Sequence, residues 1–370
     1  MAQALDPVRF ADLAGFAEDD ALAAFETFRR SARALIEGVA PSRPGKTASA
    51  GLVALAREAL SAGIAGAQAA RYFFEGGFQP YRLRPGGGAA AAGFLTGYYE
   101  PRLKGSLIPS QEFSAPVLAR PDDFVALAAG EAPPSLDAAL SGAQRLAGGA
   151  LRRYPERATI EAAAAAGEGR PILWLNDAVE VYMTQVQGSA SVELTDGRLV
   201  RLAYDGRNGQ PYTSIGRRLI ESGEIAEGDM SLARLKSWLR ANGLAPGERA
   251  RDLMQRNRSY VFFKIVTAFD PADGPTGGSG VALTPLRSIA VDRGLWPYGA
   301  PFWLDAQLPW LEPEPSPFRR LAIAQDTGSA ILGAARADLY FGGGDEAGRR
   351  AGAIRHPCDF TVLLPRGELR

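Results

Sequence analysis

Apolar positions recur at helical spacing near the start of the chain. Leu22, Phe25, Phe28, Ala32, Leu35 and Ile36 predict an amphipathic helix over 19–38. Residues 49–75 are alanine-rich and predict one or two more helices, stopped by Gly76-Gly77. The low-complexity run 85–92 predicts a loop. The run 93–100 predicts a strand halted by Pro101. Beyond about residue 105 the rhythm shortens. Strands are predicted over 172–176 and 179–186, then a hairpin over 191–194 and 199–203, turning through Asp196-Gly197. A polar, turn-rich stretch over 204–212 leads to a helix that Thr213-Ser214 can cap. Leu232, Leu235, Trp238 and Leu239 predict a second helix after Ser231, and a third, charged one ends near Asn257. Short strands then dominate, over 260–266, 288–292, 302–304, 321–324 and 359–364, which favours a small β-barrel. The glycine-rich loop 274–280 precedes a strand rather than a helix, so it is no dinucleotide fingerprint and reads as a flexible rim.

Composition narrows the chemistry. The chain has 370 residues, 46% of them hydrophobic and 22% charged, with a formal net charge of zero. That balance suits a globular protein and gives no electrostatic pull toward nucleic acid. No run of about 18 apolar residues is present to span a membrane. The first ten residues, MAQALDPVRF, carry no charged segment followed by an apolar one, so no signal peptide is visible. Gly45-Lys46-Thr47 lacks the upstream glycine and strand of a phosphate loop. A single cysteine, Cys358, excludes an intrachain disulfide, and a single histidine, His356, excludes a His-based zinc site. Both would face one way on a strand, but no third group is evident to orient a dyad. Proton chemistry would therefore rest on carboxylates.

The most telling stretch is 321–342, LAIAQDTGSAILGAARADLYFG. An apolar run ends on Asp326, and Thr327-Gly328-Ser329 leaves open space beside the carboxylate. Residues 330–332 continue the core, and Asp338 precedes a second apolar run. An acid among apolar strands costs free energy unless it is paired or functional. A capping or turn aspartate is the plainer alternative.

Several segments carry a resemblance. Asp292 in IAVDRG, Asp326 in AQDTGSAI and Asp338 in ARADLYFG resemble the three aspartates of a 3D domain. GYYEP at 97–101, VQGSA at 186–190, YDGRNGQPYTSIGRRLIESGEI at 204–225, YVFFK at 260–264 and DEAGRRAG at 345–352 resemble the membrane-bound lytic transglycosylase A family of murein-cleaving enzymes. The resemblance implies a mainly β, α+β protein. A six-stranded double-psi β-barrel would be built from 1–104 and 258–370, with a smaller β-rich domain inserted over 105–257. A groove between them would take a glycan strand. Some family members carry Thr where this chain has Glu100, and no lipobox cysteine is present, since Cys358 cannot serve.

The implied reaction cleaves the β-1,4 bond between N-acetylmuramic acid and N-acetylglucosamine without water, leaving a 1,6-anhydro end. One carboxyl can suffice, first as acid and then as base, and Asp326 is assigned that role. Burial and a neighbouring acid would keep it protonated. Candidates for substrate binding are Tyr98, Tyr99, Glu100, Gln187, Gly188, Ser189, Asn208, Tyr212, Ser214, Asp292, Thr327, Gly328 and Asp338. Core packing is the favoured role for Trp296 and Trp303. No cofactor or metal is implied. The expected partners are peptidoglycan strands and other cell-wall enzymes, for a monomer in the periplasm associated with the outer membrane. Two alternatives stand beside this: an inverting glycoside hydrolase on the same barrel, and a non-catalytic glycan-binding or wall-loosening protein.

Overall fold

The computed structural model describes residues 4–84, 92–127, 132–133, 135–137 and 140–368. The loop expected over 85–92 lies, up to residue 91, outside the described residues. The chain divides into two compact units, Met1–Tyr99 with Pro271–Arg370, and Glu100–Asp270. No helix among the described residues is long and apolar enough to cross a membrane.

The first unit is built on a closed barrel of six strands. Around it run Arg355–Pro365, Pro301–Leu308, Ser316–Asp326, Ser288–Val291, Arg336–Gly343 and Gly93–Glu100, and the last pairs back to the first. Closure removes the exposed edges of an open sheet. Ser288–Val291 runs parallel to Ser316–Asp326, so a crossover must join them. Phe78–Arg84 and then Ala4–Pro7 extend the sheet outward from Arg355–Pro365.

Helices cover the barrel's outer wall. Asp20 caps Ala21–Glu37 by accepting the Ala23 N–H at 3.0 Å, and Gly38 ends the helix in left-handed conformation at φ 70°. The alanine-rich stretch resolves into two helices, Ala50–Ser61 and Ala67–Gly77. Phe25 and Phe28 meet Phe73 and Phe78 with ring centroids 5.1 and 5.9 Å apart. The same cluster takes in Trp303, Leu321, Ile323 and Leu363 from the barrel strands. Each buried ring contributes about 2–3 kcal/mol of transfer free energy, which fastens these helices to the barrel.

In the second unit, six strands run in the order Val261–Val266, Leu199–Arg207, Ser189–Leu194, Arg102–Ser106, Pro171–Leu175, Ala115–Leu118. A bridge between Ala119 and Phe263 brings the two ends of this sheet together. The expected hairpin forms, with Val192 opposite Val200 and Gly197 at φ 83°. Residues 179–186, read as a strand from their valines, instead belong to the helix Ala178–Gln187. Asp177 caps it by accepting the Glu180 N–H at 2.9 Å. Val179, Tyr182 and Met183 then fall on one face and pack against Ile215, Leu239 and Met254. Tertiary burial of that stripe overrides β-branched propensity.

Candidate active site

Asp326 ends the strand Ser316–Asp326, and an irregularity in the sheet aims it. Ile289 pairs with Ala324, but the next residue, Ala290, pairs with Asp326, so Gln325 is the extra residue of a bulge. The Gln325 amide turns to the helix Ala21–Glu37 and donates to the Thr27 carbonyl at 2.9 Å and the Ser31 hydroxyl at 2.8 Å. The Ser288 hydroxyl donates to its oxygen at 2.5 Å. With Gln325 so held, Asp326 lies level with Ala290. Asp338 pairs with Ala290 from the other side. Both acids thus stand in one row across the sheet with a small alanine between them, on strands next to Ser288–Val291. Bulges beside functional sites commonly re-aim a side chain in this way.

Asp326 is partly exposed and held by three donors. Its Oδ1 accepts the backbone N–H groups of Gly278 at 2.7 Å and Thr327 at 2.8 Å. Its Oδ2 accepts the Tyr98 hydroxyl at 2.9 Å. Gly278 belongs to the loop read as a flexible rim, and this corrects that reading: residues 277–279 are buried against the site. A Cβ on Gly278 would lie 2.8 Å from the Tyr298 hydroxyl, and one on Gly277 only 2.5 Å from the Gln325 carbonyl. Close approach, rather than mobility, is what these glycines provide.

The strand Gly93–Glu100 brings the other groups by its period of two. Thr96 and Tyr98 face the acids. The Thr96 hydroxyl donates to Asp338 Oδ1 at 2.7 Å, and Arg336 donates to Thr96 Oγ1 at 2.9 Å. Gly97 and Tyr99 face the opposite way, under the helix Gly344–Ala353, where Cβ atoms on Gly97 and Gly348 would come within 2.8 Å of the Ala351 carbonyl and 2.7 Å of the Tyr99 ring. Tyr99 is therefore packed in the core.

Electrostatics separate the groups. Burial, and then the Asp326 charge, push the Tyr98 hydroxyl well above its ordinary range, so it remains a donor. Asp338 still touches solvent but is densely surrounded. Its carboxyl is pushed up to about 6, by burial first, with Arg336 and the Thr96 hydrogen bond opposing and the Asp326 charge adding. Burial also pushes the Cys358 thiol upward, away from a reactive thiolate.

Other candidates fall elsewhere. Asp292 ties two turns together, accepting Gly294 N–H at 3.0 Å and Gly333 N–H at 2.8 Å. The Thr327 hydroxyl donates to the Val291 carbonyl at 2.8 Å, and the Gly328 carbonyl accepts the Ile331 N–H at 3.1 Å. Ile331 continues the core as expected, but Ala330 and Leu332 are exposed. Trp296 and Trp303 are both buried.

Glu100, Gln187, Gly188, Ser189, Asn208, Tyr212 and Ser214 belong to the second unit. Glu100 is buried against Arg201 at 2.9 Å, with the guanidinium over the Phe269 ring. Burial raises the Glu100 carboxyl, and Arg201 opposes the shift. Asn208 is fully enclosed: its amide donates to the Pro155 and Arg258 carbonyls and accepts the Tyr260 N–H, so it stitches loops. Gly188, at φ 87°, ends the helix that Gln187 closes, and Ser189 starts the next strand. Ser214 caps Ile215–Glu221 by accepting the Arg217 N–H at 3.3 Å, as its hydroxyl predicted. Tyr212 is half-buried in the stretch leading to that cap.

Sequence reasoning missed Thr96, Arg336, Gly278 and Gln325. The available signal was spacing: Thr96 stands two residues before Tyr98, and Arg336 two before Asp338, so each pair shares a strand face.

Comparison with known proteins agrees with this arrangement. The model of the MltA specific insert domain matches residues 94–264, and that of the 3D domain matches 287–364. The crystal structure of a membrane-bound lytic murein transglycosylase from Agrobacterium tumefaciens superposes with TM-score 0.86 at 32% identity, covering 98% of each chain. Escherichia coli MltA with bound chitohexaose superposes with TM-score 0.65 at 26% identity, covering 99% of this chain and 95% of that one. Membrane-bound lytic murein transglycosylase A of Vibrio cholerae is 36% identical over 211 residues, 55% of this chain and 54% of the relative. The match thus spans little more than half the length of that curated relative. With both domain models matched in order and an homologous structure covered almost end to end, the chain belongs to the membrane-bound lytic murein transglycosylase A family, with a C-terminal 3D domain.

Proposed function

We propose that this chain is a lytic transglycosylase. It cleaves the β-1,4 bond between N-acetylmuramic acid and N-acetylglucosamine in peptidoglycan and leaves a 1,6-anhydromuramic end. On this reading, Asp326 as a carboxylic acid gives its proton to the glycosidic oxygen while the C1–O bond breaks. The resulting carboxylate takes the proton of the muramyl C6 hydroxyl while O6 bonds to C1. No water is consumed, and the acid is restored. Attack within one sugar carries an entropic advantage, so a second nucleophile is not needed. Tyr98 would hold the carboxyl in place during both transfers.

The observation that carries the reading is the Asp326 carboxyl itself: partly exposed, fixed by Gly278, Thr327 and Tyr98, and in a row with a second acid, Asp338. The chitohexaose in the Escherichia coli relative supports a glycan ligand here too. The reading implies work in the periplasm on the murein sacculus, by a monomer, alongside other cell-wall enzymes.

The Asp326→Asn variant tests it. Turnover of purified murein should fall about 100-fold or more, while binding to murein in a pull-down stays intact. Substantial turnover in that variant would sink the assignment. The second carboxylate in the row favours one other reading, an inverting hydrolase with Asp338 as base. Its product would be one water heavier, which mass spectrometry resolves.

A further inference from the structure

Arg336 sits among the acids of the barrel, and no step above requires it. Its guanidinium lies over the Phe94 ring, 5.4 Å from the centroid, and donates to the carbonyl of Ala337 and to Thr96 Oγ1. Guanidinium has donors only. The Thr96 hydroxyl accepts from it, so its single proton is free to point the other way, to Asp338 Oδ1 at 2.7 Å. The result is a directed chain: Arg336 gives to Thr96, and Thr96 gives to Asp338. It suits an ionised Asp338, which can only accept. Arg336 and Asp338 also share a strand face, two residues apart on Arg336–Gly343.

Resting on the function proposed above, we propose that Arg336 is a positioning residue for the acid pair. Acting through the Thr96 hydroxyl, it orients the Asp338 carboxylate and offsets its charge, so that Asp338 is ionised in the working enzyme. The groups bearing on Asp338 are Arg336 on its own strand, Asp326 from Ser316–Asp326, and Tyr98 and Thr96 from Gly93–Glu100, with Tyr340 beside Tyr98. Arg336 is the cation of this set.

With Arg336 or the Thr96 hydroxyl removed, Asp338 keeps its proton to higher pH. The acid limb of activity should then move upward. The experiment follows murein turnover against pH in the parent, Arg336→Gln, Arg336→Lys, Thr96→Val and Thr96→Ser. The limb should rise by about 1 pH unit in Arg336→Gln and Thr96→Val. It should return to the parent position in Thr96→Ser and part of the way in Arg336→Lys. A loss that is uniform across pH, with the limb unmoved, would mean a merely structural role and overturn the proposal. Should Arg336→Gln fail to fold by circular dichroism, the Thr96→Val and Thr96→Ser pair decides alone. Carbon-13 NMR titration of the Asp338 carboxyl in the same proteins reads the shift without any turnover, and an unmoved midpoint there also overturns it. Asp326→Asn in the same assay keeps the two ideas apart. If it is still active, the functional reading falls; if it is dead and the limb has not moved, only the role of Arg336 falls.

Discussion

A carboxylate takes its role from its surroundings, and the three aspartates of the 3D-domain motifs, Asp292, Asp326 and Asp338, differ. Asp292 spends both oxygens on backbone N–H groups of neighbouring turns. Asp326 is partly exposed and fixed by three donors, and Asp338 is partly exposed but densely surrounded. This crowding has a testable cost. A carboxyl with pKa about 6 in the fold, against about 4 in the unfolded chain, binds more protons when folded. Its favourable contribution is complete below pH about 4 and is lost as pH rises through about 6. Asp338→Asn has no charge to bury. It should gain roughly 1–3 kcal/mol over the parent at pH 8, and the gain should vanish near pH 4. Thermal melts at the two pH values check this; equal gains at both would contradict it. Asp326 was legible in the sequence, because an apolar run ending on an acid before small residues is a local pattern. Tyr98, its partner, lies 228 residues away, and no local pattern links the two.

Elements show where local rules lose to packing. The stretch 178–187 holds valines that favour a strand, yet its apolar stripe finds a helical core to fill, and Asp177 starts the turn. Most barrel strands were legible as apolar runs, though short of their true ends; 359–364 extends to Arg355–Pro365. The helix Gly344–Ala353 carries a polar sequence and was not anticipated as a helix. The bulge at Gln325 could not be seen at all, since a bulge is a property of two paired strands. It is predicted to matter for stability as well as aim. Gln325→Ala removes three buried hydrogen bonds and leaves the Ser31 and Ser288 hydroxyls without this partner. Urea denaturation should show a loss of about 3 kcal/mol, and a loss below about 1 kcal/mol would mean the bulge is held by other contacts.

At the scale of the molecule, the barrel unit is discontinuous in sequence. Gly93–Glu100 arrives before the second unit, and the remaining barrel strands after it. Composition and periodicity suggested a small barrel but could not say that an early strand completes it; only the resemblance implied that. Asp19 ties the start of the chain to the barrel, buried between Arg287 at 2.6 Å and Arg320 at 3.1 Å and accepting the Leu321 N–H. What the whole molecule does rests on whether water enters the product. Digestion of purified murein in water enriched in heavy oxygen, followed by mass spectrometry of the soluble fragments, tests this most directly. The account predicts anhydro fragments one water lighter than hydrolysis products, with no heavy oxygen at the new end. Reducing ends carrying the label would contradict it.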